Sequence, residues 1–207
     1  MDTLIYITDC SPLSEQKLYE KAYEAVSADR RSASGRFRQE KDRLLCLGAG
    51  LLEQYCGLSV YHDESGRPHA EEESCYVSIS HSYPYAVLGV SGSPLGVDIE
   101  RITDQYGAIM RRFYLDEDRA YIAASDDPAS AFFELWTRKE AFIKRNSPRD
   151  LRQISVSEPE EGMKYVSHPV PGYACTAYVD KRADISFTEI SIEVLLQSLA
   201  SDQRIGS

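Results

Sequence analysis

Two segments, Gly96-Val97-Asp98-Ile99-Glu100 and Trp136-Thr137-Arg138-Lys139-Glu140-Ala141-Phe142-Ile143-Lys144, constrain this chain more than any other part of it. In the first, Val97 and Ile99 alternate with Asp98 and Glu100, which predicts a strand with both carboxylates on one face. The second predicts a helix. At about 100° per residue, counted from Phe132, its residues Phe142, Leu135, Ile143 and Trp136 make one apolar stripe. Lys139 falls inside that stripe, at about 340°, while Glu140 and Lys144 lie at its edge, at roughly 80° and 120°. A lysine on a buried face is costly unless it is paired or bound to an anion. Three carboxylates on rigid elements, with cations beside them, suit a hard divalent ion shared with substrate phosphates. Phosphoryl chemistry is the first expectation. Each segment alone also has a plain structural alternative: solvated acids on a strand, and Glu140 with Lys144 as an i, i+4 helix pair.

The 207 residues are enough for a substantial core, in one domain or in two small ones in close contact. No run approaches the ~18 apolar residues of a membrane helix. The start, Met1-Asp2-Thr3-Leu4-Ile5-Tyr6, lacks a basic n-region, so a cytoplasmic protein with no membrane association is expected. Five cysteines with no C-x-x-C spacing disfavour a disulfide framework and a zinc site, and four scattered histidines disfavour a histidine-rich metal centre. A net charge of −10 argues against nucleic acid as a partner. Within it lies a basic island: Arg30, Arg31, Arg36, Arg38, Lys41 and Arg43 against Glu40 and Asp42, a local balance of +4. Such an island on an acidic chain suits a specific anion.

The pattern predicts a strand over Thr3–Thr8, a helix from Pro12 to about Ala28 with Ser11 as a possible N-cap, and a helix from about Ser34 to Tyr55. A short strand near Val60 and a turn through Asp63-Glu64-Ser65-Gly66-Arg67-Pro68 follow. Strands are expected at Tyr76–Ser80, Tyr85–Val90 and Leu95–Arg101, a helix opened by Asp116-Glu117-Asp118, and a long helix from Pro128. Two more strands, Gly172–Val179 and Ile185–Ile190, precede a last helix opened by Ser191. This is an α+β pattern of two similar α/β halves, 1–92 and 93–207.

The two motifs closely resemble those of the 4′-phosphopantetheinyl transferases, specifically the long, single-chain Sfp type. That family carries a G-[VI]-D-[VI]-E strand and a W/F-x-x-K-E-[AS]-x-x-K helix, and both are complete here and in order. Gly66-Arg67-Pro68 resembles the family's G-K-P turn, with arginine for lysine. Val77-Ser78-Ile79-Ser80-His81-Ser82 resembles F-N-I-S-H-S, and Pro171-Gly172-Tyr173-Ala174 its P-G-Y-A strand. Arg36 to Gly48 resembles the family's basic helix after one residue of slippage near Asp42-Arg43.

The resemblance implies a pseudo-twofold fold with the active site where its halves meet, and a monomer, since one chain supplies both halves. It implies transfer of the phosphopantetheine arm of coenzyme A to a serine of an acyl or peptidyl carrier protein, releasing adenosine 3′,5′-bisphosphate. By it, Asp98, Glu100 and Glu140 hold Mg²⁺, Glu140 is also the general base, and Lys144 stabilises the leaving phosphate. Ser80 and His81 contact coenzyme A phosphates, and Arg43 and Arg67 are candidates for the 3′-phosphate or adenine side. Lys139 is assigned to phosphate or to local charge balance. Arg36 is a lesser candidate for the 3′-phosphate or adenine side, with a solvated helix residue as its other reading. Apart from the resemblance, the segment from Ile102 to Tyr121, with Met110, Arg111, Arg112, Phe113 and Tyr114, is read either as the carrier-docking face or as residues that simply pack against the core. The alternatives are a noncatalytic coenzyme A-binding relative and a Mg²⁺-dependent phosphohydrolase.

Overall fold

The computed structural model describes residues 2–146 and 159–205. The chain opens with β1 (Asp2–Asp9), a 3-10 turn (Ser11–Ser14), α1 (Gln16–Ala25), α2 (Ala28–Arg36), α3 (Glu40–Tyr55), β2 (Val60–His62), β3 (Pro68–Ala70), β4 (Tyr76–Ser82) and β5 (Tyr85–Ser91). It continues through β6 (Gly96–Arg101), α4 (Gly107–Phe113), α5 (Asp116–Ala124), α6 (Pro128–Asn146), β7 (Met163–Ser167), β8 (Tyr173–Asp180), β9 (Asp184–Glu189) and α7 (Ile192–Ile205). The fold is mixed α+β.

Alternating β-branched residues make β1 a strand, and burial of Thr3, Ile5 and Ile7 fixes its inner face. It lies second from one edge of a four-stranded sheet ordered β4-β5-β1-β9, antiparallel to β5 and parallel to β9, with Thr3 opposite both Ser91 and Ile185. A three-stranded antiparallel sheet, β6-β8-β7, carries the acidic strand at its edge, Asp98 opposite Thr176 and Glu100 opposite Ala174. A two-stranded ribbon pairs β2 with β3.

The seam between the larger sheets is made by side chains. The hydroxyls of Ser78, Ser80 and Ser82 on β4 accept the N–H groups of Val97, Ile99 and Arg101 on β6, at 3.0, 3.3 and 3.0 Å. On its other side β6 meets α6 at Gly96, where a Cβ would lie 1.8 Å from the Ala141 carbonyl oxygen. Only glycine permits that approach. The strand bearing Asp98 and the helix bearing Glu140 are thereby in backbone contact.

Leu44, Leu47, Leu51 and Leu52 of α3 share one core with Leu88 of β5 and with Ile192 and Leu195 of α7. The chain past residue 93 therefore returns to complete the first sheet and its helical cover. Phe132, Phe142 and Tyr178 form a second core under α6.

Three expectations are corrected. The helix expected over Ser34–Tyr55 is two, because Phe37 and Gln39 are extended, at ψ 130° and 137°. Ser27, whose hydroxyl accepts the Arg30 N–H at 3.2 Å, opens α2 earlier than expected. The helix expected from Pro12 is a 3-10 turn followed by α1, with extended Glu15 between them. The ribbon strand β3, helix α4 and strand β7 lack strong periodicity and were not expected. Among the described residues no helix is long and apolar enough to cross a membrane.

Candidate functional site

Asp98, on β6, is only 3% exposed. Its Oδ1 accepts hydrogen bonds from the Ser80 hydroxyl and from the Lys144 ammonium, each at 2.7 Å. Its Oδ2 is buried with no hydrogen-bond partner among the described residues. Two residues on, the Ser82 hydroxyl donates to Glu100 Oε2 at 3.3 Å. Burial, and then the charge of Asp98, push the Glu100 carboxyl up to about 7, and the same two causes in the same order raise Glu140. Lys144 reaches across to Asp98 at 2.7 Å. That contact, between a helix and a neighbouring strand, is not the helix-surface pair the plain structural alternative required.

No set of three His, Cys, Asp or Glu side chains among the described residues is drawn around one point. Lys144 is the cation that balances the acids. Their chemistry fits a hard dication all the same: a buried carboxylate oxygen has no donor, and two neighbouring acids pay for ionising.

Two adjoining cavities lead away from these groups. One of about 230 Å³ is lined by Arg67, Val77, Ser78, Ile143 and Lys144. The other, of about 830 Å³, is lined by Arg30, Arg36, Phe37, His62 and His81 among others. Gly66, Pro68 and Ile79 line both, so the two cavities adjoin between Lys144 and the arginines of the basic island. Together they match an elongated, anionic ligand of cofactor size.

The expected basic residues distribute unevenly. His81 lines the larger cavity, where desolvation and then Lys144 hold its pKa below the ordinary imidazole value. Ser80 is committed to Asp98 and to the Ile99 N–H. Arg67 lines the smaller cavity, while its Nη2 donates to the Lys144 carbonyl and, at 2.9 Å, to that of Arg145, closing the C-terminal end of α6. Arg43 does not line the cavity; its Nη1 donates to the carbonyls of Phe37 and Arg38, both at 3.2 Å, across the break between α2 and α3. Arg36, the lesser candidate, lines the cavity in its place. Lys139 is fully buried, 3.5 Å from Asp118 Oδ2 and 5.1 Å from the centre of the Tyr114 ring. Of its two readings, the geometry fits local charge balance.

Comparison with known proteins places this arrangement. Residues 94–189, the span from before β6 to the end of β9, match the 4′-phosphopantetheinyl transferase superfamily. The 4′-phosphopantetheinyl transferase psf-1 of Bacillus pumilus is 33% identical over 156 residues, 68% of this chain and 67% of that one. The chain belongs to the 4′-phosphopantetheinyl transferase superfamily. Two further phosphopantetheinyl transferases align over nearly their whole length: ffp of Bacillus subtilis, 28% identical over 89% of this chain and 96% of its own, and Sfp of Bacillus subtilis strain 168, 25% identical over the same shares.

In the sequence Arg30 stands out only as a member of the basic island, and nothing singles out Phe37 or His62 for the site. Arg30 lines the larger cavity, and its Nε donates to buried Glu53 at 2.9 Å while Nη2 donates to the other carboxylate oxygen. His62 and Phe37 line it too. The density of arginine in the island marked the region; which guanidinium faces inward depends on the break after α2, which falls at Phe37, two residues past Gly35.

Proposed function

We propose that this chain transfers the phosphopantetheine group of coenzyme A to a serine hydroxyl of an acyl or peptidyl carrier protein, releasing adenosine 3′,5′-bisphosphate. The observation that carries the reading is Asp98, buried with one carboxylate oxygen unpartnered and bonded through its other oxygen to Lys144, which lines the smaller of two adjoining cavities whose larger member is lined by arginines of the basic island. Asp98, Glu100 and Glu140 are the proposed Mg²⁺ ligands; when bound, the ion neutralises pyrophosphate oxygens.

In this reading, the larger cavity holds the nucleotide end of coenzyme A, with Arg36, His81 and the outer edge of Arg30 toward its phosphates. Lys144 faces the departing phosphate and stabilises its growing charge. The carrier serine oxygen bonds to the β-phosphorus, the bond from that phosphorus to the bridging oxygen breaks, and the serine proton passes to the Glu140 carboxylate. The carrier is expected on α4 and the turn after it, where Arg111, Arg112 and partly buried Met110 and Phe113 combine cations with apolar surface.

Incubation with coenzyme A, Mg²⁺ and a panel of apo carriers, followed by mass spectrometry of the carriers, tests the reading. A carrier gaining one phosphopantetheine supports it. Phosphopantetheine released into solution with no carrier present points to a phosphohydrolase, and coenzyme A binding with no turnover to a noncatalytic relative.

A further inference from the structure

β4 and β6 face each other with a common period of two, and this gives three chemically equivalent serines unequal duties. A serine hydroxyl has one proton and two lone pairs. Ser78, Ser80 and Ser82 each use a lone pair on a β6 N–H, so each keeps its proton for another acceptor. Ser80 gives it to Asp98 and Ser82 to Glu100. Strand alternation puts Gly96 on the same face as those two acids, so the corresponding place beside Ser78 holds no carboxylate.

Asp98 and Glu100 are not held alike. Asp98 is buried and is also fixed by Lys144. Glu100 is half-exposed, has a longer side chain, and among the described residues receives its hydrogen bond from Ser82. A glutamate free to rotate must be ordered when it takes up a cation, and that ordering weakens binding.

We propose that Ser82 is a positioning residue for the metal site: it does not touch the ion, but holds Glu100 in the rotamer from which that carboxylate can ligate. This rests on the reading of Asp98, Glu100 and Glu140 as metal ligands, and adds to them a residue whose only link to the ion runs through Glu100. Ser78 supplies an internal control, because it makes the same backbone bond and no carboxylate bond.

The test titrates Mn²⁺ into the whole chain, with coenzyme A present at a concentration that calorimetry shows to saturate each variant and carrier absent, and follows free Mn²⁺ by electron paramagnetic resonance. Thermal melting is measured on the same samples. Ser82→Ala is expected to raise the Mn²⁺ Kd about tenfold or more. Ser78→Ala should lower the melting temperature similarly and leave the Kd where it was, and Ser82→Thr, which keeps the hydroxyl, should recover most of the affinity. Should Ser82→Ala fail to fold, Ser82→Cys, with its weak donor, makes the same comparison. Wild-type Kd in Ser82→Ala or Ser82→Cys, or equal losses in Ser78→Ala and Ser82→Ala, overturns the inference and leaves the metal reading standing. An unsubstituted chain that takes up no Mn²⁺ overturns both.

Discussion

Glu140 and Glu100 occupy similar surroundings and face different demands. Glu140→Gln keeps the size and one ligating oxygen while removing the basicity. Coenzyme A binding should therefore survive while carrier modification falls about 10²-fold or more; near-normal turnover would return Glu140 to the role of a surface residue. Glu100 couples the site to stability. Its ordinary carboxyl value is 4.5 and burial beside Asp98 raises it to about 7, so the folded chain holds a proton that the unfolded chain has released. Its contribution to stability is complete below about 4.5 and is lost as pH rises through about 7. In chelator, melting temperatures should fall over that window more steeply for the natural chain than for Glu100→Gln, and excess Mg²⁺ should remove the difference; identical profiles in chelator would dismiss the coupling. These acids were readable from sequence because alternation fixes a strand's faces without knowledge of its neighbours. The serines of β4 have the same visible period, yet what they touch depends on β6 lying across the seam, which no local pattern encodes. Lys139 announced itself as misplaced, but its partner Asp118 sits on another helix and could not be read from the wheel.

At the scale of elements, the break between α2 and α3 decides which arginines serve the cavity. Arg36 ends α2 facing the cavity, and Arg43 ties its guanidinium to the carbonyls at the break. Arg36→Ala is expected to weaken coenzyme A binding clearly more than binding of the 3′-dephospho analogue. Arg43→Ala should weaken both equally and modestly, through the loosened junction. Calorimetric titration of both ligands into both variants decides it, and the reverse ranking would restore Arg43 to the site. Helices α5 and α6 are joined by the buried Lys139–Asp118 pair. Asp118→Ala strips the carboxylate from a fully buried ammonium and should cost about 3 kcal/mol or more in urea unfolding. Combining Asp118→Leu with Lys139→Met should recover most of that loss. Failure of the double variant to recover would mean that the pair does more than balance charge. Periodicity found α5 and α6 because each has a capping or proline start and an apolar stripe. It ran through Phe37–Gln39, where the turn residues that ordinarily mark a stop are missing.

At the scale of the molecule, the two halves expected from the motif order remain a proposal with a clear test. The core under β1 and β5 includes Ile192 and Leu195 of α7, and β1 carries β9 on its other side. A fragment of residues 1–92 should therefore lack cooperative unfolding by circular dichroism; a sharp, reversible transition would show that the first half stands alone. The sequence identified both strands and the last helix, but parallel pairing of β1 with β9 joins segments at opposite ends of the order and leaves no local trace. That pairing also bears on how the protein is made. During synthesis β1 must wait for a partner roughly 180 residues behind it, about ten to forty seconds of translation at 5–20 residues per second. Throughout that interval the apolar face of Ile5 and Ile7 lacks its full cover, so the nascent chain is a natural client for chaperones.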